Sequence, residues 1–365
     1  MPRRKLRVLG VIVLLLVVAV VAFIAYRLFV HKGPQPGTVL DEARQANRPA
    51  TDFVAADEDY FHDMDGAVPL TPEEVKGRNT WVIWTGGNDR FWDHIGTTSF
   101  GALDLLKSIS SYPNAIDPNT GEKLKFSRDN RWQYLGLVNE PCFEKPTGPD
   151  PNRFGLWLDK RRADCPPDPF ENEQKYPGVR VGSRGQALPA GGPNQHLPQT
   201  MPVGSFYGYA TGIVGLRLFP NPAFDAEAAR KWDPERYYSD PTYYYSKDLV
   251  RPYRVGMSCA FCHVGPDPVR PPDNPEKPEW KNLNNSVGAQ YFWIDRIFDW
   301  RSDEKTYTYQ MFHTSRPGSL DTSLVSSDNI NNPRTMNAIY SLGARLEEAK
   351  RFGKETLGPG SNDNK

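Results

Sequence analysis

Two cysteines and a histidine lie close together in the sequence Cys259-Ala-Phe-Cys262-His263. Two thiols at this spacing can form thioether bonds to the two vinyl groups on one edge of a porphyrin. The histidine that follows is then held beneath the ring, where an imidazole nitrogen can bind the iron. The pattern therefore predicts one covalently attached haem of the c type, with Cys259 and Cys262 as attachment sites and His263 as the proximal iron ligand.

The distal coordination position of such an iron is open to several interpretations. Electron-transfer cytochromes usually fill both axial positions, whereas haems that bind oxygen or peroxide leave one of them vacant. Met311, His313 and Met336 follow the motif, as the common order of small cytochromes requires, and each is a candidate distal ligand. Methionine is also a common core residue. A vacant position is the remaining alternative, and the sequence does not choose among them.

Cys142 and Cys165 are the other two cysteines of the chain. An even pair outside the haem motif favours a disulfide bond in an oxidising compartment. Chain entropy alone would give a loop of this size a stabilisation of about 3 kcal/mol. We expect a structural disulfide, and the alternative is a pair of buried thiols.

The N-terminus predicts export across a membrane. Four basic residues between positions 3 and 7 precede an apolar run of 19 residues at positions 8–26. At about 1.5 Å per residue, a helix of this length nearly spans a hydrocarbon core about 30 Å thick. Because the positive cluster should stay cytoplasmic, we expect a single-pass anchor in the bacterial inner membrane, with the bulk of the chain in the periplasm. A cleaved signal peptide is the alternative.

The composition favours a globular chain that is rich in loops. The 34 prolines and 30 glycines interrupt regular elements, while an aromatic content of 12% argues against disorder. The net charge of zero gives no indication of a nucleic-acid partner. We predict a mainly α fold with extensive irregular loops. Its segments are an anchor at residues 1–30, a tether at 31–50, a loop-rich aromatic extension at 51–245 and a cytochrome c-like haem domain at 246–365.

Several short stretches predict local elements. Thr71-Pro-Glu-Glu indicates a helix start, because a threonine cap, a first-turn proline and early acidic residues are typical of one. Trp81-Val-Ile-Trp84 predicts a short strand or a buried turn. Residues 223–232, 287–300 and 337–352 each have the pattern of a helix.

The stretch Asn331-Asn-Pro-Arg-Thr-Met-Asn-Ala-Ile-Tyr340 resembles a segment that follows the first haem in the bacterial di-haem cytochrome c peroxidase superfamily. The stretch Trp84-Thr-Gly-Gly-Asn-Asp-Arg-Phe-Trp-Asp93 looks more like the rubber-oxygenase-like branch of that superfamily. The resemblance covers residues 250–350 and, more loosely, the upstream part. It implies a haem c protein that donates or accepts electrons and acts on peroxide or dioxygen.

The chain departs from this superfamily in two ways. Its members carry two haem motifs, and this sequence has one. Where they have a tryptophan between the haems, this chain reads Ser341-Leu-Gly-Ala-Arg-Leu-Glu-Glu. The haem domain is then either the truncated first half of a di-haem protein, with a separate second-haem domain as its partner, or a mono-haem relative.

Two functional hypotheses follow. The first is a membrane-anchored c-type cytochrome that transfers electrons through one haem to a periplasmic redox partner. The alternative is a haem-dependent peroxidase-like or oxygenase-like enzyme, acting alone or as the first-haem half of a di-haem enzyme.

Overall fold

The computed structural model describes residues 13, 15–22, 41–98, 104–114, 123, 127–189, 198–244, 246, 248–285 and 297. The chain forms two compact units, Met1–Glu42 and Ala43–Lys365. In the first unit, residues 13 and 15–22 are helical and exposed. The second unit contains the Cys-Ala-Phe-Cys-His motif together with all the strands described below.

The expected membrane anchor is corrected by the structure. Among the residues whose positions are described, no helix is long and apolar enough to cross a membrane. The prediction of a single-pass protein of the inner membrane with its bulk in the periplasm is therefore wrong for this structure. The rest of the apolar run lies outside the described residues.

The mainly α prediction is also wrong, because the second unit mixes short helices with short antiparallel strands. The longest described helix has 12 residues. The helices described between residues 41 and 285 are Glu42–Gln45 (α1), Pro72–Ile83 (α2), Asp89–Thr98 (α3), Leu105–Ser108 (α4), Arg131–Leu135 (α5), Ala226–Lys231 (α6), Pro234–Ser239 (α7), Pro241–Tyr244 (α8) and Ala260–His263 (α9). Single 3-10 turns lie at Ala50–Asp52, Met64–Gly66, Arg128–Asn130, Pro151–Arg153, Pro169–Glu171 and Trp280–Asn282.

The described strands form three small antiparallel sheets. They are Phe143–Glu144 (β1) with Lys160–Arg161 (β2); Tyr209–Ala210 (β3), Leu216–Pro220 (β4) and Tyr253–Met257 (β5) in that order; and Val264–Pro266 (β6) with Leu283–Asn285 (β7). Strands β4 and β5 pair from Leu216 opposite Met257 to Pro220 opposite Tyr253. This pairing joins residues on both sides of position 245, where the sequence places a domain boundary.

Helix α2 begins as the sequence predicts. The Thr71 backbone N–H donates to the Glu74 carboxylate at 2.8 Å, and the Glu74 N–H donates to the Thr71 hydroxyl at 3.4 Å, with Pro72 in the first turn. The helix continues to Ile83, so Trp81 lies in its last turn. The prediction of a strand or buried turn at this point is wrong. The short helix predicted at residues 223–232 is confirmed by α6.

The described residues contain two buried apolar clusters. One surrounds the β3–β4–β5 sheet and contains Trp92, Leu216 and Val255. The other joins helix α2, through Val82 and Ile83, to the motif at Ala260 and Val264. Aromatic rings supply much of this second cluster, in agreement with the aromatic-rich composition; they include Phe61, Phe170, Tyr176 and Tyr207, with Tyr60, Trp81, Phe206 and Trp280 partly buried against them.

A disulfide bond joins Cys142 to Cys165, with their Cα atoms 5.8 Å apart. It closes the segment that contains strands β1 and β2. The Arg162 N–H donates to the Cys142 carbonyl at 2.9 Å, next to the pairing of Phe143 with Arg161. The covalent bond therefore reinforces a very short pair of strands that has few hydrogen bonds of its own.

Glu140 is buried among charged side chains near this disulfide. Its carboxylate lies 3.8 Å from the Arg161 guanidinium. Burial raises the pKa of Glu140 to about 8; the nearby Asp168 adds to the rise, while Arg161 and Arg217 oppose it. The Glu140 carboxyl group therefore holds its proton to a higher pH than an exposed glutamate does.

Removal of the disulfide should destabilise the second unit. For a variant with Cys142→Ser and Cys165→Ser, we expect a loss of about 3 kcal/mol in the free energy of unfolding, because the unfolded chain regains the freedom of the closed loop. Urea unfolding of the variant and of the wild type measures the difference. Equal midpoints for the two proteins would show that the bond contributes nothing to stability.

Glu140 should make the stability depend on pH. Its pKa is higher in the folded protein than the usual value of 4.5, so the folded state binds the extra proton and its contribution is lost as the pH rises towards 8. Between pH 5 and 7, the wild type should lose up to about 1.4 kcal/mol per pH unit relative to Glu140→Gln. Urea midpoints at several pH values measure this difference, and parallel curves would contradict the prediction.

Candidate functional site

The motif residues form one helical turn between two strands. Strand β5 ends at Met257, and Cys259 already has helical backbone angles, with φ −60° and ψ −33°. The Cys262 N–H donates to the Cys259 carbonyl at 3.2 Å, and helix α9 ends at His263. Residues three apart lie on the same face of a helix. The backbone therefore places both thiols on one face of the turn.

The three side chains differ in their exposure. Cys259 is exposed, whereas Cys262 is 8% exposed and His263 is 3% exposed. One thiol thus faces solvent and the imidazole is buried. An exposed thiol at Cys259 and a buried imidazole at His263 would suit a cofactor that is bound partly inside the protein.

The backbone of Gly215 packs against the backbone of the helical turn. Its φ is +82°, in the left-handed region that favours glycine. A Cβ at this position would overlap the backbone nitrogen of Phe261 and lie 2.6 Å from the Phe261 Cα atom. The Ser258 N–H also donates to the Gly215 carbonyl at 2.8 Å. The backbone at Gly215 therefore forms a close-fitting support for the helical turn.

The last residues before the turn are fixed by hydrogen bonds from distant parts of the chain. The Asn88 amide donates to the Met257 carbonyl at 2.7 Å and accepts from the Met257 N–H at 2.9 Å. The Ser258 hydroxyl donates to the Val82 carbonyl at 2.6 Å. These contacts connect the motif to the end of helix α2 and to the residue that precedes helix α3.

Trp81 lies against the candidate iron ligand. The centroids of the Trp81 and His263 rings are 5.8 Å apart, and the ring planes are inclined at 38°. The Trp81 Nε1 atom is buried and has no hydrogen-bond partner in the part of the chain that the structure describes. A buried N–H without an acceptor is costly. The arrangement therefore leaves one donor available beside His263.

These residues fit a covalently attached haem. The turn supplies two thiols on one face and an imidazole, and the indole N–H beside it calls for an acceptor that the described residues do not provide. Within the described residues, no group of three or more His, Cys, Asp or Glu side chains is arranged to hold a bare metal ion.

Sequence reasoning missed the residues that support the motif. Gly215, Asn88 and Trp81 are distant from it in the chain, and no local spacing connects them with it. The candidate distal ligands Met311, His313 and Met336 lie outside the described residues. The same holds for the stretch at 331–340 and for the expected helix at 337–352. Of the helix expected at 287–300, only Ile297 is described, as a buried helical residue.

Comparison with known proteins found no matching protein-family model, curated protein or solved structure. The resemblance to the di-haem peroxidase superfamily stays a prediction. The function is therefore argued from the residues of the site.

The support at Gly215 gives a test of the site's construction. We expect Gly215→Ala to cost about 2–4 kcal/mol, because the new Cβ must displace the motif turn and the residue must keep a positive φ. Gly77→Ala is the matched control: it lies in helix α2 with no atom within 4 Å of the new Cβ, so we expect stabilisation by about 0.5–1 kcal/mol. Urea unfolding measures both, and a Gly215→Ala variant as stable as the control would contradict the described packing.

Proposed function

We propose that this protein carries one haem of the c type and transfers electrons through it. Cys259 and Cys262 form the two thioether bonds, and His263 binds the iron. One observation carries the proposal: the Cys-Ala-Phe-Cys-His residues form a single helical turn that has both thiols on one face and a buried imidazole at its end. A bound haem supplies an iron centre that changes its charge by one electron.

The residues of the chain have separate tasks in this function. The thiols tether the group, so that it stays in place whatever its oxidation state. Because His263 is buried, bulk water does not reach its imidazole. The neighbouring Trp81 ring restricts the motion of the imidazole. The contacts of Gly215 and Ser258 fix the backbone that carries all three side chains.

The exposure of Cys259 supports electron transfer in particular. A porphyrin tethered through Cys259 would have its attachment edge near the surface, where a redox partner could approach it. The buried His263 lies at the opposite end of the turn. The site thus combines an accessible edge with a protected ligand.

The experiment compares cysteine variants produced together with a cytochrome c maturation system. We expect the wild type to retain one haem per chain after denaturation, as measured by intact mass. Cys259→Ala with Cys262→Ala should retain none. Cys142→Ala with Cys165→Ala is the matched control, since it removes the same number of cysteines outside the motif and should retain the haem. His263→Ala should keep the added mass and lose the spectrum of the histidine-bound iron.

Two outcomes would count against this proposal. A wild-type chain with no added haem mass would overturn haem attachment. A haem spectrum that changes on addition of carbon monoxide or cyanide would show an open iron position and would favour the peroxidase-like or oxygenase-like alternative over simple electron transfer.

A further inference from the structure

The Trp81 side chain has a feature that packing alone does not explain. Its ring is partly buried against the second core cluster and lies 5.8 Å from the His263 ring. A phenylalanine would fill the same kind of space. The indole adds a donor whose Nε1 atom is buried and has no partner among the residues that the structure describes. Buried donors in native proteins nearly always have an acceptor.

The proposed haem offers an acceptor of one kind on its rim. Its vinyl groups are consumed by the two cysteines, and its methyl groups are apolar. The remaining substituents are the two propionates, which are carboxylates at neutral pH and strong hydrogen-bond acceptors. Hydrogen bonds to charged groups are stronger than those between neutral groups. A propionate is therefore the part of the group that suits a buried indole N–H.

We propose that Trp81 is a positioning residue of the haem site: its ring orients His263, and its indole N–H donates a hydrogen bond to a haem propionate. This inference rests on the proposed function. It adds a residue that lies in helix α2 and that no motif connects with Cys259, Cys262 or His263.

The hydrogen bond from Trp81 to a propionate raises the reduction potential of the haem. A donor beside a propionate offsets part of its negative charge, which favours the reduced iron. Without the donor, the uncompensated charge disfavours the added electron and the potential falls. The donor also stabilises the ionised propionate and so lowers its pKa. Without it, the propionate titrates nearer to neutral pH, and the potential becomes more dependent on pH in that range.

The experiment measures the haem-loaded wild type, Trp81→Phe and Trp84→Phe. Trp81→Phe keeps an aromatic ring and removes the N–H. Trp84→Phe is the matched control, because Trp84 directly follows the same helix and contacts Phe206 and Tyr207. We expect a lower reduction potential with a steeper pH profile for Trp81→Phe alone. The propionate bending band in the resonance Raman spectrum should shift in the same variant and report the lost hydrogen bond directly.

A third variant tests the orientation of the ligand. Trp81→Leu removes the ring as well as the N–H. We therefore expect the absorption spectrum of the histidine-bound iron to change more in Trp81→Leu than in the wild type or in Trp81→Phe. The Trp81→Phe variant should keep that spectrum, because it retains a ring at the same position. Circular dichroism confirms that each variant is folded before its potential is compared.

The outcomes separate this inference from the proposed function. A wild type without covalent haem overturns the function and the inference together. A loaded wild type whose potential, pH profile and Raman band are unchanged by Trp81→Phe overturns the role of the indole and leaves the function standing. An equal change in Trp84→Phe also overturns it, because the effect would then not depend on the residue that contacts His263.

Discussion

The close approach of two backbone segments is the constraint on which the candidate site depends. Gly215 lies so near the main chain of Phe261 that there is no room for a Cβ atom. Such contact is possible only where the side chain is absent and φ can be positive. Strand β4 begins at the next residue, Leu216, and pairs with β5, which leads into the motif. The sheet and the helical turn are thus held together by main-chain atoms, which no rotamer change can loosen.

The other supports of the turn come from one short region of the chain. Trp81 and Val82 belong to helix α2, and Asn88 precedes helix α3. Each acts through a different interaction: ring contact with His263, acceptance of the Ser258 hydroxyl, and paired hydrogen bonds to Met257. Because these residues are far from the motif in sequence, the turn reaches this geometry only when the second unit folds as a whole. A functional group is placed most accurately when rigid elements support it in this way.

The parts of this protein that can be predicted from sequence are those whose physics is local. The cap at Thr71 is one of them, because it depends on a residue three positions away. The mainly α prediction is wrong because the strands have only two to five residues and pair with distant partners, as Leu216 does with Met257. The strand predicted at Trp81 is wrong for a related reason. Aromatic and β-branched residues favour strands, but here Val82 and Ile83 are buried by tertiary packing in the last turn of a helix.

The rigid support of the Cys259–His263 turn favours the proposed electron transfer. His263 is buried, and its backbone is fixed by strands on both sides and by Gly215 behind the turn. None of these contacts depends on a bound group, so the imidazole of the proposed site would keep its place when a bound iron changed its charge. A centre whose ligands scarcely move between oxidation states exchanges electrons with little rearrangement of the protein. The fixed backbone of His263 is therefore an argument for the proposed electron transfer that is independent of the exposed thiol at Cys259.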